Sequence, residues 1–341
     1  MRRGDRALLD VRSEGEFALG SVPGFVNLPI LTNEERHLVG LEYKTKGQES
    51  ATALGHRLVG PTKSVRIERW QQQIKNTATR SGLVSCWRGG MRSQLASEWM
   101  SHQELSIERI DGGYKAIRGA LVAGLQTPPP FLVLAGMTGS GKTDLIRSLP
   151  QVPHVDLEQL ALHRGSSFGK LVVQQPSQAT FENALGLALW RKSTLTLVED
   201  ESAAIGRVIL PKALSGSIAA APVVVLEIEQ SLRALHIYKE YVEAPLTSGT
   251  APDALCQSLC LSIRAISRRL GGELSAKLEA AINQACGEDS LSFAHHENWI
   301  LELLDGYYDK AYRHAFDRLK RPVLFRGNHL ECEQWILHQF A

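Results

Sequence analysis

The sequence predicts an α/β protein made of two consecutive domains, each built on a parallel sheet, with a helix-rich end to the second. Three observations predict it. Short apolar runs alternate with helical patterns in both halves. Three prolines, Pro128 to Pro130, end a helix-like segment and stiffen a connector, which sets domains at 1–126 and 127–341. A glycine-rich stretch, "GMTGSGKT", directly follows a strand-length apolar run. With 341 residues at 43% hydrophobic content, the chain is long enough to bury two cores.

In the first half, "ALLDVRS" and "GLVSCW" read as buried strands. "EGEFALG", "SQLASEWMSHQ" and "GYKAIRGALVAGL" read as helices. In the second half, strands are expected at 131–135, 195–199 and 222–228, with a late one in "PVLFRG" at 322–327. "ISRRLGGELSAKLEAAINQAC" and "HENWILELLDGYYDKAYRHAFDRL" carry helical patterns. Internal repeats and low-complexity tracts are missing from the sequence.

The formal net charge is +2, from 38 basic and 36 acidic residues, so any nucleic-acid footprint must be a local patch. The five cysteines, Cys86, Cys256, Cys260, Cys286 and Cys332, are odd in number and lack paired spacing, against a secreted disulfide framework. "MRRGDRALLDVRS" has no apolar signal core, and "FLVLAG" and "APVVVLEI" are too short to span a bilayer. The expectation is a soluble, cytoplasmic protein that does not engage a membrane.

"GLVSC" ends an apolar strand at a thiol, "WRGGMRS" turns, and "QLASEWM" opens a helix. Cys86 therefore sits at a strand's carboxyl end, facing a helix N-terminus and its dipole. Arg88 and Arg92 add positive charge, and these effects favour the reactive thiolate. Gly89 and Gly90 allow a tight loop with inward amides, and Ser93 opens the helix as further loop support. These residues resemble the rhodanese family. "LLDVRSEGEFALGSVPGFVNLP" is similar to the opening of rhodanese domains, and "DGGYKAIRG" to their closing segment. The resemblance implies a rhodanese-like first domain whose loop cysteine, Cys86, carries sulfur or selenium. Rhodaneses usually have one more strand before the Asp-Val-Arg segment, and this chain starts nine residues before Asp10, which implies an N-terminally truncated domain. The Cys86-to-Arg92 spacing is Cys-x5-Arg, one residue longer than the common sulfurtransferase loop, and predicts room for a tetrahedral phosphate-like oxyanion.

"GMTGSGKT" satisfies the phosphate-loop pattern at Gly136, Gly141, Lys142 and Thr143, with a strand before it and "DLIRSL" as a helix after it. It makes the second domain P-loop NTPase-like. Backbone amides from Gly139 through Ser140, Gly141 and Lys142 to Thr143 would hold a diphosphate, Lys142 would neutralise it, and the Thr143 hydroxyl would reach Mg2+. In "TLTLVEDES", Glu199 or Asp200 is either a second magnesium carboxylate or a solvated loop acid. The motif reads a diphosphate and no particular base. The loop "VDLEQLALHRGSSFGK" divides evenly between a site role and a structural one. Cys256 and Cys260 share a helix face and read as core packing; no tightly bound metal cluster is expected. The basic run Arg264 to Arg269 reads mainly as a solvated face, and Tyr307, Tyr308 and Tyr312 as helical packing.

The whole chain resembles the tRNA 2-selenouridine synthase family. The resemblance is carried by "LTNEERHLVGLEYKTKGQESATALGHRLV", "CWRGGMRS", "GGYKAIR", "GMTGSGKT", "VDLEQLALHRGSSFG", "LVEDES", "AISRRLG" and "YYDKAYR". Ala203 stands where the family pattern would put a basic residue. The resemblance implies an enzyme that acts on tRNA carrying 2-thiouridine at the wobble position and replaces sulfur with selenium from selenophosphate. It also implies prior S-geranylation with geranyl diphosphate, Cys86 as an S-selanylcysteine, and a selenophosphate-producing enzyme as partner. Alternatives are an ATP-dependent tRNA sulfurtransferase, although a Ser-Gly-Gly-x-Asp-Ser adenylating loop is missing from the sequence, and a cysteine phosphatase, although Ser85 precedes the thiol in place of the usual histidine. A nucleotide-switched binding module with an inert first domain is disfavoured by the intact Cys86.

Overall fold

The structure is a computed structural model that describes residues 5–101, 105–166, 168–169, 174–190, 192, 194–288 and 291–341. His102 and Gln103 of one expected helix, and Ser167 and Lys170 of the expected site loop, lie outside the described residues. The chain divides into two compact units, Met1–Gly124 with Pro176–Trp190, and Leu125–Gln175 with Arg191–Ala341. Residues 176–190, which a boundary near 127 leaves in the second domain, pack with the first unit.

The first unit holds a four-stranded sheet of β1 (Ala7–Asp10), β2 (Val26–Asn27), β3 (Ser81–Ser85) and β4 (Ser106–Arg109). Its order is β2-β1-β3-β4 and every pairing is parallel. The connections are α1 (Glu14–Leu19), α2 (Asn33–Val59), α3 (Lys63–Lys75), α4 (Met91–Met100) and α5 (Gly113–Gly124). Leu9, Val84, Trp70, Ile74 and Met100 fill the core, and the Trp70 indole N–H donates to the Leu28 carbonyl at 2.9 Å. Thr32 and Glu35 cap α2 reciprocally, 3.3 and 2.8 Å. Gly47, at φ 85°, breaks α2 into two limbs. The limbs fold back on each other, with the Ser50 hydroxyl on Glu42 at 2.5 Å and Gly55 facing Val39. This hairpin carries a weak amphipathic signal in the sequence and escapes a periodicity reading.

The second unit holds a five-stranded parallel sheet, order β11-β10-β5-β7-β6. The strands are β5 (Phe131–Ala135), β6 (His154–Val155), β7 (Thr196–Glu199), β10 (Val223–Leu226) and β11 (Val323–Gly327). A small antiparallel pair, β8 (Ala204–Ile205) and β9 (Val208–Ile209), follows β7. Helices α6 (Lys142–Arg147), α7 (Leu157–Ala161), α9 (Lys212–Ala220), α10 (Gln230–Tyr238) and α16 (His329–Gln339) serve the sheet, while α8 (Gln178–Ala188) belongs to the first unit. The sheet grows outward from β5 in both directions, so the crevice at the end of β5 is a topological switch point, where α/β folds bind ligands. The helical end comprises α11 (Ala244–Thr247), α12 (Pro252–Leu270), α13 (Gly272–Glu288), α14 (Phe293–Leu303) and α15 (Asp309–Leu319), around Ile263, Leu278, Ile282 and Trp299. The pattern expected to run through "ISRRLGGELS" is interrupted at Gly271, φ 84°, which ends α12. Among the described residues, no helix is long and apolar enough to cross a membrane.

Candidate functional site

Cys86 follows the carboxyl end of β3, a central strand, and is 3% exposed. Its thiol donates to the Ser93 hydroxyl at 3.3 Å, and that hydroxyl donates to the Gly90 carbonyl at 2.9 Å. Gly89 takes φ 68°, as the tight loop requires. The "DGGYKAIRG" segment holds the loop from outside: Tyr114 N–H donates to the Cys86 carbonyl at 2.8 Å and Lys115 N–H to the Trp87 carbonyl at 3.0 Å. Gly113, φ 56°, must be glycine here, because a Cβ would collide with the Cys86 carbonyl oxygen.

The two expected arginines separate. Arg88 is exposed. Arg92 forms a two-point ion pair with Glu16, 2.6 and 3.1 Å. Although burial opposes it, this arginine sits on the same carboxylate as Arg36, and the pairing with Arg92 holds the Glu16 carboxyl below its ordinary range. Arg12 is the residue that local reading misses. Fully buried, it grips Asp10 through Nε and Nη2 at 2.7–3.0 Å and donates to the Gly20 carbonyl at 2.8 Å. Its guanidinium lies 3.7 Å from the centre of the Tyr114 ring, so it ties the opening segment to the closing one.

In the second unit, the phosphate loop joins β5 to α6. Gly139 and Gly141 take φ 79° and 80°. A Cβ on Gly136 would come 2.7 Å from the Ser140 hydroxyl and 2.9 Å from the Leu226 carbonyl. The Ser140 hydroxyl is buried without a partner. Lys142 Nζ donates to the Gly136 carbonyl at 2.8 Å, and Gly136 N–H donates to the Tyr312 hydroxyl at 2.8 Å. Arg233 supports the loop from behind, donating to the Thr138 carbonyl at 3.0 Å while pairing with buried Asp309 at 2.7–2.8 Å.

The Thr143 hydroxyl lies 3.0 Å from Glu199 Oε2 and 3.2 Å from Glu158 Oε2. Oxygens of Glu158, Glu199 and Glu201 all fall within 4.8 Å of one another. Burial, and then the charge of Glu158, push the Glu199 carboxyl well above its usual range and that of Glu201 up to about 7. Three crowded acids beside a hydroxyl fit a divalent cation, whose charge would relieve the repulsion. Asp200, expected to share this task, is held elsewhere. Arg321 clamps it through both oxygens at 2.8 Å, and Tyr312 stands 3.4 Å away. Glu158 and Glu201 stand beside Glu199 instead; Glu158 belongs to the loop "VDLEQLALHRGSSFGK", whose reading is evenly divided, and Glu201 to "EDES".

These groups open on a cleft of about 1030 Å³. Leu210, Ile218, Ala219, Phe316 and Leu319 give it an apolar side, and Tyr307, Tyr308 and Tyr312 line it too. Ala203 lines the same cleft and contributes no charge. In the basic run, Arg264 pairs with Glu279 and Arg269 donates to the Tyr307 hydroxyl. Cys256 and Cys260 gain an unexpected neighbour: burial and Cys256 push the Cys286 thiol up to about 12, and the Cys256 thiol donates to Asn283 at 3.1 Å.

The fold and site define a P-loop α/β protein that carries a strand-end thiol loop in the same chain. Residues 129–341 match the family described as tRNA 2-selenouridine synthase AAA domain. A relative named tRNA 2-selenouridine synthase in Shewanella oneidensis is 39% identical, over 97% of this chain and 92% of its own length. Those of Shewanella denitrificans and Shewanella halifaxensis are each 40% identical, over 97% of this chain and 94% of theirs. The chain belongs to the tRNA 2-selenouridine synthase family.

Proposed function

We propose that this enzyme replaces the sulfur of 2-thiouridine at the tRNA wobble position with selenium from selenophosphate, by way of S-geranyl-2-thiouridine. Family membership supports the tRNA reaction. The observation that carries the two-step route is the second unit's cleft, whose lining combines a diphosphate cradle and an acid cluster with apolar side chains such as Leu210, Ile218 and Phe316. A prenyl diphosphate has those two halves, an anionic head and a hydrocarbon tail.

In the first step the thiocarbonyl sulfur attacks C1 of geranyl diphosphate. The C–S bond forms as the allylic C–O bond breaks, its electron pair leaves with pyrophosphate, and the nucleobase N3 proton passes to solvent. Lys142 and the amides of Gly139 to Thr143 stabilise the departing charge. Thr143, Glu158, Glu199 and Glu201 would hold magnesium, which supplies further neutralisation of the diphosphate. In the second step, selenophosphate and water convert S-geranyl-2-thiouridine to 2-selenouridine, geranyl thiol and phosphate. Cys86 and its loop hold the selenium donor while its selenium displaces geranyl thiol at C2 and water then cleaves the Se–P bond, with no change of oxidation state, in a first unit whose parallel order β2-β1-β3-β4 supports the rhodanese-like reading.

The test is Lys142→Ala, assayed by mass spectrometry of wobble nucleosides after incubation of thiolated tRNA with geranyl diphosphate. Geranylation is expected to fall by about 10²–10³, the usual effect of losing a transition-state charge stabiliser. Normal geranylation by this variant, or failure of inorganic pyrophosphate to compete with geranyl diphosphate, would remove the P-loop from the reaction.

A further inference from the structure

The first unit contains a second apolar site. A groove of about 600 Å³ runs between the α2 hairpin and α4. Ile30, Val39, Leu41, Val59, Leu95 and Trp99 give it a hydrocarbon lining. Met91 and Arg92 line it as well, and they follow the cysteine loop directly. Ser93, the next residue, holds the Cys86 thiol at 3.3 Å. Leu41, Tyr43 and Met91 are large apolar side chains left 54%, 58% and 44% exposed along this groove. Such a patch marks a binding surface rather than an ordinary exterior.

Arg36, His37, Lys44, His56 and Arg92 contribute to the groove's lining, and no carboxylate does. Arg36 and Arg92 are paired with Glu16 behind it, so exposed Lys44, with His37 and His56, makes up the rest of the basic rim. An apolar floor under a basic rim matches a hydrocarbon chain attached to a polyanion. The volume lies within the range for small-molecule sites.

We propose that this groove holds the ten-carbon chain of S-geranyl-2-thiouridine, still attached to its RNA, and so brings the nucleoside's C2 to the Cys86 loop. The inference rests on the two-step route above. It assigns the prenyl group a place in each unit: a diphosphate ester binds the second, and a nucleoside thioether binds the first. The basic rim meets the flanking phosphates, and those contacts predict a salt-dependent component of binding. Geranyl thiol, the leaving group of the second step, departs from the same groove.

Binding separates this idea from the chemistry it rests on. The probes are two anticodon stem-loops, one with S-geranyl-2-thiouridine and one with S-methyl-2-thiouridine at the wobble position, titrated calorimetrically into full-length Cys86→Ser protein. The geranyl form is expected to bind at least about tenfold tighter, a minimum for several buried methylenes. Thr52→Trp, which fills the groove, is expected to bring the ratio near one, and Thr52→Val to keep it. Gly40→Phe gives an independent filling, since Gly40 lines the groove and a Cβ there meets no atom within 4 Å, so the ring enters without a clash at its base. Equal affinity of the two probes for the Cys86→Ser protein, or a ratio that survives both fillings, overturns the groove assignment. Preferential binding that both fillings abolish supports it, even if wild-type protein with selenophosphate leaves the geranyl probe unselenated; that last result would instead sink the two-step route.

Discussion

The two reactive loops are built to opposite electrostatic plans. Around Cys86, charge is already paired: Arg92 and Arg36 share Glu16, and Arg12 is locked to Asp10 under Tyr114. Around Thr143, charge of one sign is left crowded: Glu158, Glu199 and Glu201 converge while Arg321 is spent on Asp200. A loop with its ion pairs complete needs no further ion to hold its shape, so the thiol is positioned in advance. A loop with three converging carboxylates stores repulsion that a cation can release, so its resting state is poised for a charged ligand.

The largest expected effect breaks the comparison at the thiol. Cys86→Ser should abolish selenium incorporation while geranyl transfer from geranyl diphosphate continues, read by nucleoside mass spectrometry. Loss of both products together would mean the loops do not act in separable steps. An intermediate effect tests the support behind the phosphate loop. Asp309→Ala leaves Arg233 buried without its partner, which should cost about 3–5 kcal/mol in denaturant unfolding. A cost near zero would mean Arg233 is not truly desolvated.

The smallest effect sharpens the contrast through pH. Burial, and then the charge of Glu158, push the Glu201 carboxyl up to about 7 in the folded protein, against an ordinary 4.5. Between those values the folded protein keeps a proton that the unfolded chain has lost. Without magnesium, stability should therefore fall as pH rises through that window. A decline of a few degrees in Tm between pH 5 and 8 is expected, reduced by Glu201→Gln and by added magnesium. A flat Tm profile in the metal-free protein would deny that burial and the neighbouring acids hold Glu201 protonated.

The phosphate loop was legible in the sequence because its chemistry is local: one strand, one glycine-rich turn and Lys142-Thr143 lie within a dozen residues. The place of Cys86 between β3 and α4 was legible for the same reason, whereas the exposure of Arg88 and the pairing of Arg92 with Glu16 were not. What escaped is what folding brings from afar. Glu158 lies in a loop whose reading is evenly divided, and only the fold brings it from α7 to Thr143; Arg321 comes from beyond α15 to claim Asp200, a choice that "LVEDES" alone cannot reveal. Cys286 reaches Cys256 only because Gly271 turns α13 back along α12. The α2 hairpin was hidden by its own exposure: a helix pair that leaves a groove open shows little of the buried stripe that betrays a helix.

Helix α8 lies far along the chain from the unit it completes. Phe181 and Leu185 are wholly buried, and Asn183 donates to the Ser21 carbonyl and the Tyr114 hydroxyl at 2.8 and 3.2 Å. On the ribosome, the amino-terminal part must therefore wait, unfinished, until translation has passed residue 190. Expression of residues 1–124 alone would strand the surface that α8 covers, and any dissection of this enzyme into fragments has to carry 176–190 with the amino-terminal piece.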